Sequence, residues 1–166
     1  GNDPFVLTLT AQSITSSSAT ITGSTNPAGS TVYTYFDWGT TSNYGNSVVA
    51  SPSSASGSNT TPIQTALSGL DYGTLYHYRA RVVRTDGLVA YGADSVFMTL
   101  PLAPSVITTA ATDITPYTAS LNGNVNPNGG ITSVAFEWGL TTAYGNTITA
   151  TPGSINGFVP VDVTGP

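Results

Sequence analysis

Tyr76-His77-Tyr78-Arg79-Ala80-Arg81 holds the only histidine of the chain and two of its three cationic side chains; the third, Arg84, follows closely, and lysine is absent. Acid–base or nucleophilic catalysis at His77 would need an activating or orienting partner, and a metal site would need further ligands. There is no second histidine and no cysteine. The acids Asp71, Asp86, Asp94 and Asp113 are scattered without calcium-loop spacing. Serine is abundant, but no Gly-x-Ser-x-Gly elbow occurs. The chain is therefore expected not to be an enzyme and to use no metal or cofactor.

Recognition remains as possible chemistry. Alternation over residues 75–83 turns His77, Arg79 and Arg81 to one side and Tyr76, Tyr78, Ala80 and Val82 to the other. In residues 32–39 the same alternation separates Tyr33, Tyr35 and Asp37 from Val32, Thr34, Phe36 and Trp38. If these strands are neighbours, Asp37 meets Arg79 or Arg81 across the ladder, a pair contributing roughly 0.2–1 kcal/mol and helping to set register. Tyr33, Tyr35, His77 and Arg79 would then share an outer face able to stack on a sugar. Strand propensity explains the tyrosines equally well, and a solvated strand position explains His77. Arg84-Thr85-Asp86-Gly87 reads as a turn rather than an adhesive motif. Asn59-Thr60-Thr61 has the form of a glycosylation sequon.

The elements that must position these residues belong to a repeat. Asn26-Pro27, Gly29, Phe36, Trp38-Gly39, Thr41 and Tyr44-Gly45-Asn46 recur at an offset of 100 as Asn126-Pro127, Gly129, Phe136, Trp138-Gly139, Thr141 and Tyr144-Gly145-Asn146. One structural unit is thus used twice. Short alternating runs punctuated by Gly, Pro, Asn and Ser, with no capped helical pattern, specify an all-β sandwich of seven strands per unit. The strands are expected over residues 5–10, 19–23, 32–39, 46–51 (a short edge strand), 63–67, 75–83 and 89–99. Residues 53–61 are expected as a polar loop, and Asn26-Pro27-Ala28-Gly29 as a type I turn. Ile21, Phe36, Trp38, Leu67, Tyr76, Tyr78 and Phe97 are expected in one core.

The motifs Phe36-Asp37-Trp38-Gly39-Thr40-Thr41, residues 67–79 from Leu67 to Arg79, and residues 91–97 from Tyr91 to Phe97 resemble the fibronectin type III domain found in bacterial secreted and surface proteins. The resemblance runs through the first copy and all that is present of the second. It departs at Tyr72, where the family usually has proline. It implies tandem immunoglobulin-like sandwiches, a corner tyrosine at Tyr76 tied to nearby backbone, and modular spacing or binding rather than catalysis.

Residues 1–100 are then a complete domain, and residues 101–166 a partial one lacking its last two strands. Val159, Val161 and Val163 are aligned here with Ile63, Thr65 and Leu67. Such a unit would expose Phe136, Trp138 and a strand edge, either because the chain is a fragment or because another subunit donates strands. Charged residues are only 7%, and the net charge is −5. That argues against nucleic acid and against anionic membrane surfaces, and no apolar run is long enough for insertion. Low charge with much Ser, Thr, Asn and Gly suits an extracellular or cell-surface setting. The expected role is a structural or spacer repeat of a bacterial surface or appendage protein, its partners being neighbouring domains or subunits. The rivals are an adhesive or glycan-binding module, an accessory region of a secreted enzyme, and a phage tail or capsid decoration.

Overall fold

Residues 2–166 are described by a computed structural model, and every regular element among them is a β-strand. The chain divides into two compact units, Gly1–Leu100 and Pro101–Pro166. Each is built of curled antiparallel sheet, a β-sandwich-like architecture.

In unit 1, β1 (Phe5–Gln12), β2 (Ser18–Asn26) and β5 (Thr61–Ser68) pair side by side. The opposing layer is β4 (Asn46–Gly57), β3 (Ser30–Gly39) and β6 (Leu75–Arg84). The short strands β7 (Val89–Tyr91) and β8 (Ser95–Met98) share the far side of β6. The layers join where β4 touches β5 at Ser51↔Gln64. Period-two alternation sends Ile21, Val32, Phe36, Ile63, Leu67, Tyr78, Ala80, Val82 and Phe97 into one core. Val6 joins them, which settles the inward face of β1. The Tyr76 hydroxyl accepts a hydrogen bond from the Asp71 N–H at 3.0 Å, and its ring packs on Phe97 at 5.5 Å. Trp38 is not fully enclosed: half-buried at the rim, it leans on Tyr76 with ring centroids 6.0 Å apart.

Four sequence expectations need correction. First, β4 does not stop at residue 51 or form an edge. It bulges between Val49 and Ser54, then continues along β3 to Gly57. Its Ser-rich composition reads as loop, yet backbone pairing is indifferent to side chains, Ala55 is buried, and the Thr34 hydroxyl donates to the Pro52 carbonyl at the bulge. Second, residues 89–99 form two strands, because Gly92 crosses β1 where a Cβ would lie 2.4 Å from Thr8 Oγ1. Unit 1 thus has eight strands. Third, the tight turn lies one residue later than expected. The Ser30 N–H bonds the Pro27 carbonyl at 3.1 Å, with Ala28 and Gly29 at φ 54° and 84°. Two positive φ values define the primed form of the turn, not type I. Asn26 serves by accepting from the Ala28 N–H at 2.9 Å.

The fourth correction concerns the end of unit 2. This unit comprises β9 (Ser105–Thr112), β10 (Ser120–Asn126), β11 (Thr132–Trp138), β12 (Asn146–Ile155) and β13 (Val161–Gly165), in the order β11-β12-β13-β10-β9. Val163 pairs with Gly123 as Ile63 pairs with Gly23. The offset of 100 therefore persists, and Val163 corresponds to Ile63, not Leu67. These five strands reproduce β1 to β5. They do so down to positive φ at Asp113, Asn128, Tyr144 and Gly145, matching Ser13, Ala28, Tyr44 and Gly45. The buried cluster is smaller: Val125, Val134, Ala150, Ile155 and Val163, with Phe136 and Val161 packed against it. β9 is exposed throughout, and Trp138 is 51% exposed.

Candidate functional site

The outer face of β3 and β6 in unit 1 gathers the polar chemistry of the chain. Register places Asp37 opposite Arg79, Tyr35 opposite Arg81, and Gly39 opposite His77. The Asp37 carboxylate takes both arginines: Oδ1 accepts from Arg81 Nε at 3.0 Å and Oδ2 from Arg79 Nε at 3.2 Å. Arg81 Nη2 also donates to Ser47 Oγ at 2.8 Å, and its guanidinium lies 4.6 Å from the centre of the Tyr35 ring. Arg79 packs against two rings, Tyr91 at 3.9 Å and Tyr44 at 4.6 Å. Its two terminal nitrogens donate to no group among the described residues, and its side chain is 28% exposed. One edge of the guanidinium is thus committed to Asp37, while the terminal nitrogens remain available as donors.

Asp94 ties the far end together, accepting from the Tyr44 hydroxyl at 2.9 Å and meeting His77 Nδ1 at 2.9 Å. Burial, then the hydrogen bond to Asp94, raises the Tyr44 phenol above its ordinary pKa. His77, expected as a free solvated residue, therefore has a carboxylate partner. Tyr33 lies further along β3, opposite Val83, and takes no part in the cluster. The structure thus brings Tyr35, Asp37, His77, Arg79 and Arg81 together, leaves Tyr33 aside, and adds Tyr44, Tyr91 and Asp94. Tyr44 arrives through a tight loop: it sits at φ 62°, and Gly39 lies beneath it, where a Cβ would fall 1.6 Å from the Tyr44 carbonyl oxygen. That loop belongs to the repeated motif, but nothing in its sequence said that the ring would reach Arg79. Asp94 is delivered by the break at Gly92, which the sequence reading took as continuous strand.

Two arginines offset by two aspartates make a face that is close to neutral, offering tyrosine rings beside fixed hydrogen-bond donors. Such a face can stack and hydrogen-bond with a flat polar ligand. It can equally be an ion-pair network that seals the outer side of the sheet. Among the described residues no group of three or more His, Cys, Asp or Glu is placed to hold a metal ion.

These features define an all-β chain of two sandwich-like units, the first carrying an arginine–tyrosine face. No family model matches the chain, and no curated protein matches it. Among solved structures it is similar to the long form of the sensor domain of the anti-sigma factor RsgI4 of Pseudobacteroides cellulosolvens. That likeness has 23% identity and a TM-score of 0.45, covering 68% of this chain and 99% of that one. The short form of the same domain gives 21% identity and a TM-score of 0.44, over 61% of this chain and 98% of that one. Both likenesses are loose, and neither bears on function.

Proposed function

We propose that the chain is a tandem of fibronectin type III-like modules with a non-catalytic, structural or spacing role in an extracellular bacterial surface or appendage protein, packed among neighbouring domains or subunits. The observation that carries this reading is the division between what the repeat keeps and what it changes. It keeps an apolar residue at most of the positions that form the unit 1 core, the glycines under the loops and the positive-φ turns. It replaces Tyr33, Tyr35 and Asp37 of the outer face by Ser133, Ala135 and Glu137. A module used for spacing needs its frame and not a particular face. The order of strands β1-β2-β5 against β4-β3-β6-β7, together with the tied Tyr76, supports the family assignment. The test is replacement in the source bacterium of the gene segment for residues 1–100 by an unrelated sandwich of equal span. A spacer leaves surface display and cell behaviour unchanged. A protein displayed normally but without its function contradicts the reading.

A second reading rests on the free donors of Arg79 between Tyr44 and Tyr91: unit 1 as a glycan-binding module. Screening the full chain on a glycan array separates the two. Binding that disappears in Tyr91→Ala supports the module with a ligand; a blank array, with cooperative folding intact, leaves the structural role.

A further inference from the structure

We propose that Asn156-Gly157, in the turn between β12 and β13, is a self-modification site at which the asparagine loses ammonia and becomes aspartate or isoaspartate.

The chemistry belongs to the pair itself. The main-chain nitrogen of the glycine, once it has given up its proton, attacks Cγ of the preceding asparagine. The new N–C bond closes a cyclic imide, and Nδ2 leaves as ammonia. Water then opens the ring at either carbonyl. One opening restores the main chain and gives aspartate; the other routes the main chain through the side-chain carbon and gives isoaspartate. Only water and hydroxide are consumed or required. Glycine favours the step because it has no Cβ to obstruct its nitrogen, and asparagine is among the thermolabile residues.

The chain has three such pairs, all in unit 2: Asn122-Gly123, Asn128-Gly129 and Asn156-Gly157. The fold holds back the first two. Asn122 Nδ2 donates to the Ala110 carbonyl at 2.9 Å and to Thr112 Oγ1 at 3.1 Å. Gly123 is buried in mid-strand, paired with Thr108 on one side and Val163 on the other. Asn128 Nδ2 donates to the Ala103 carbonyl at 2.7 Å, and the Gly129 N–H, which would have to attack, donates to the Gly157 carbonyl at 2.8 Å. Asn156 has neither restraint. It is exposed, its side chain makes no hydrogen bond among the described residues, and the Gly157 N–H donates to none of them. Gly157 sits at φ 102° with nothing within 4 Å of where a Cβ would lie. One net hydrogen bond is a factor of about five in rate, so Asn156 should react at least about fivefold ahead of the other two.

The openness belongs to the turn itself. Ser56 and Gly57, the equivalents at the offset of 100, are exposed in unit 1, where β6, β7 and β8 are present. Both turns are tied alike: the Gly29 N–H donates to the Gly57 carbonyl at 2.9 Å, as Gly129 does to Gly157. Serine has no amide to lose, so only one of two like turns carries the site. Isoaspartate there adds a carbon to the main chain just before Gly157 and draws its carbonyl away from Gly129. Either product adds a negative charge. This chemistry stands apart from the spacing role and does not rest on it.

The folded 166-residue chain is incubated at mildly alkaline pH and digested at intervals. The three asparagine–glycine peptides are then followed by mass for the exchange of amide for acid, and isoaspartate by enzymatic methylation of its new carboxylate. Conversion is expected first at Asn156, at least about fivefold faster than at Asn122 or Asn128, and rising with hydroxide. Asn156→Gln should abolish this early ammonia loss. In concentrated urea the three rates should draw together, because only the fold distinguishes the pairs. Comparable rates at the three sites in the folded chain would overturn the proposal, as would a lead of Asn156 that persists undiminished in urea. So would an Asn156 that stays intact while the unfolded chain converts.

Discussion

Ala28 and Asn128 occupy the same left-handed corner, at φ 54° and 50°. Asparagine tolerates this region, whereas alanine has a Cβ that crowds the following carbonyl. Ala28→Asn should therefore stabilise unit 1 by about 0.5–1 kcal/mol, read as a raised urea midpoint with an unchanged slope. At the outer face, Asp37 is the hinge of the charge network. Its side chain is 13% exposed, so its pairs are better shielded than free surface pairs. A double-mutant cycle of Asp37 with Arg79 should give a coupling of roughly 0.5–1 kcal/mol, and zero coupling would mean that the pair is incidental. The raised pKa of Tyr44 belongs here too. A phenol whose folded pKa lies above its unfolded value of about 10 adds stability that is complete below that pH and is lost as pH climbs through the raised value. Asp94→Asn should bring the Tyr44 titration to lower pH, followed by the carbon resonance of its phenol ring, and thereby shrink that alkaline loss. Alternation placed Asp37 opposite the arginines because strand neighbours are a local matter of period and register. It could not place Tyr44 or Asp94, since both come from loops whose paths depend on Gly39 and Gly92 meeting distant backbone.

At the scale of the element, β4 decides how the two layers of unit 1 are joined. Between its paired ends the strand bulges around Thr34, which is fully buried and donates to the Pro52 carbonyl. Thr34→Val keeps the shape and removes the donor, leaving that carbonyl without it, so a loss of about 1–3 kcal/mol is expected in chemical unfolding. A change under about 0.3 kcal/mol would show that the bulge is held by its backbone pairs alone. Strands rich in core residues, such as β3 and β6, were legible as period-two runs. β4 was not, because Ser, Ala and Pro carry little pattern and its pairing is carried by the main chain. The split of β7 from β8 escaped for a related reason: a glycine in a strand-like run is as compatible with continuation as with a break until the crossing strand is known. Gly92→Ala should therefore loosen β1 against β7, visible as faster amide exchange in residues 6–9.

At the scale of the whole chain, one frame is used twice, β9 to β13 repeating β1 to β5. Unit 1 buries fifteen apolar residues in its core cluster and unit 2 buries five, so the units should differ widely in stability. The repeat itself was plain in the sequence, because loop glycines and core aromatics recur at a fixed offset. The extent of β13 was not, since a valine-rich run can be slid along its partner by an even number of residues without changing its inward face. The account rests on two modules that share a frame and fold separately. Urea unfolding of the intact chain labelled with 5-fluorotryptophan, followed at the Trp38 and Trp138 fluorine resonances, tests this most directly. Two separate transitions are predicted, with Trp138 reporting the earlier one and Trp38 persisting to higher denaturant. A single coincident transition at both tryptophans would contradict it.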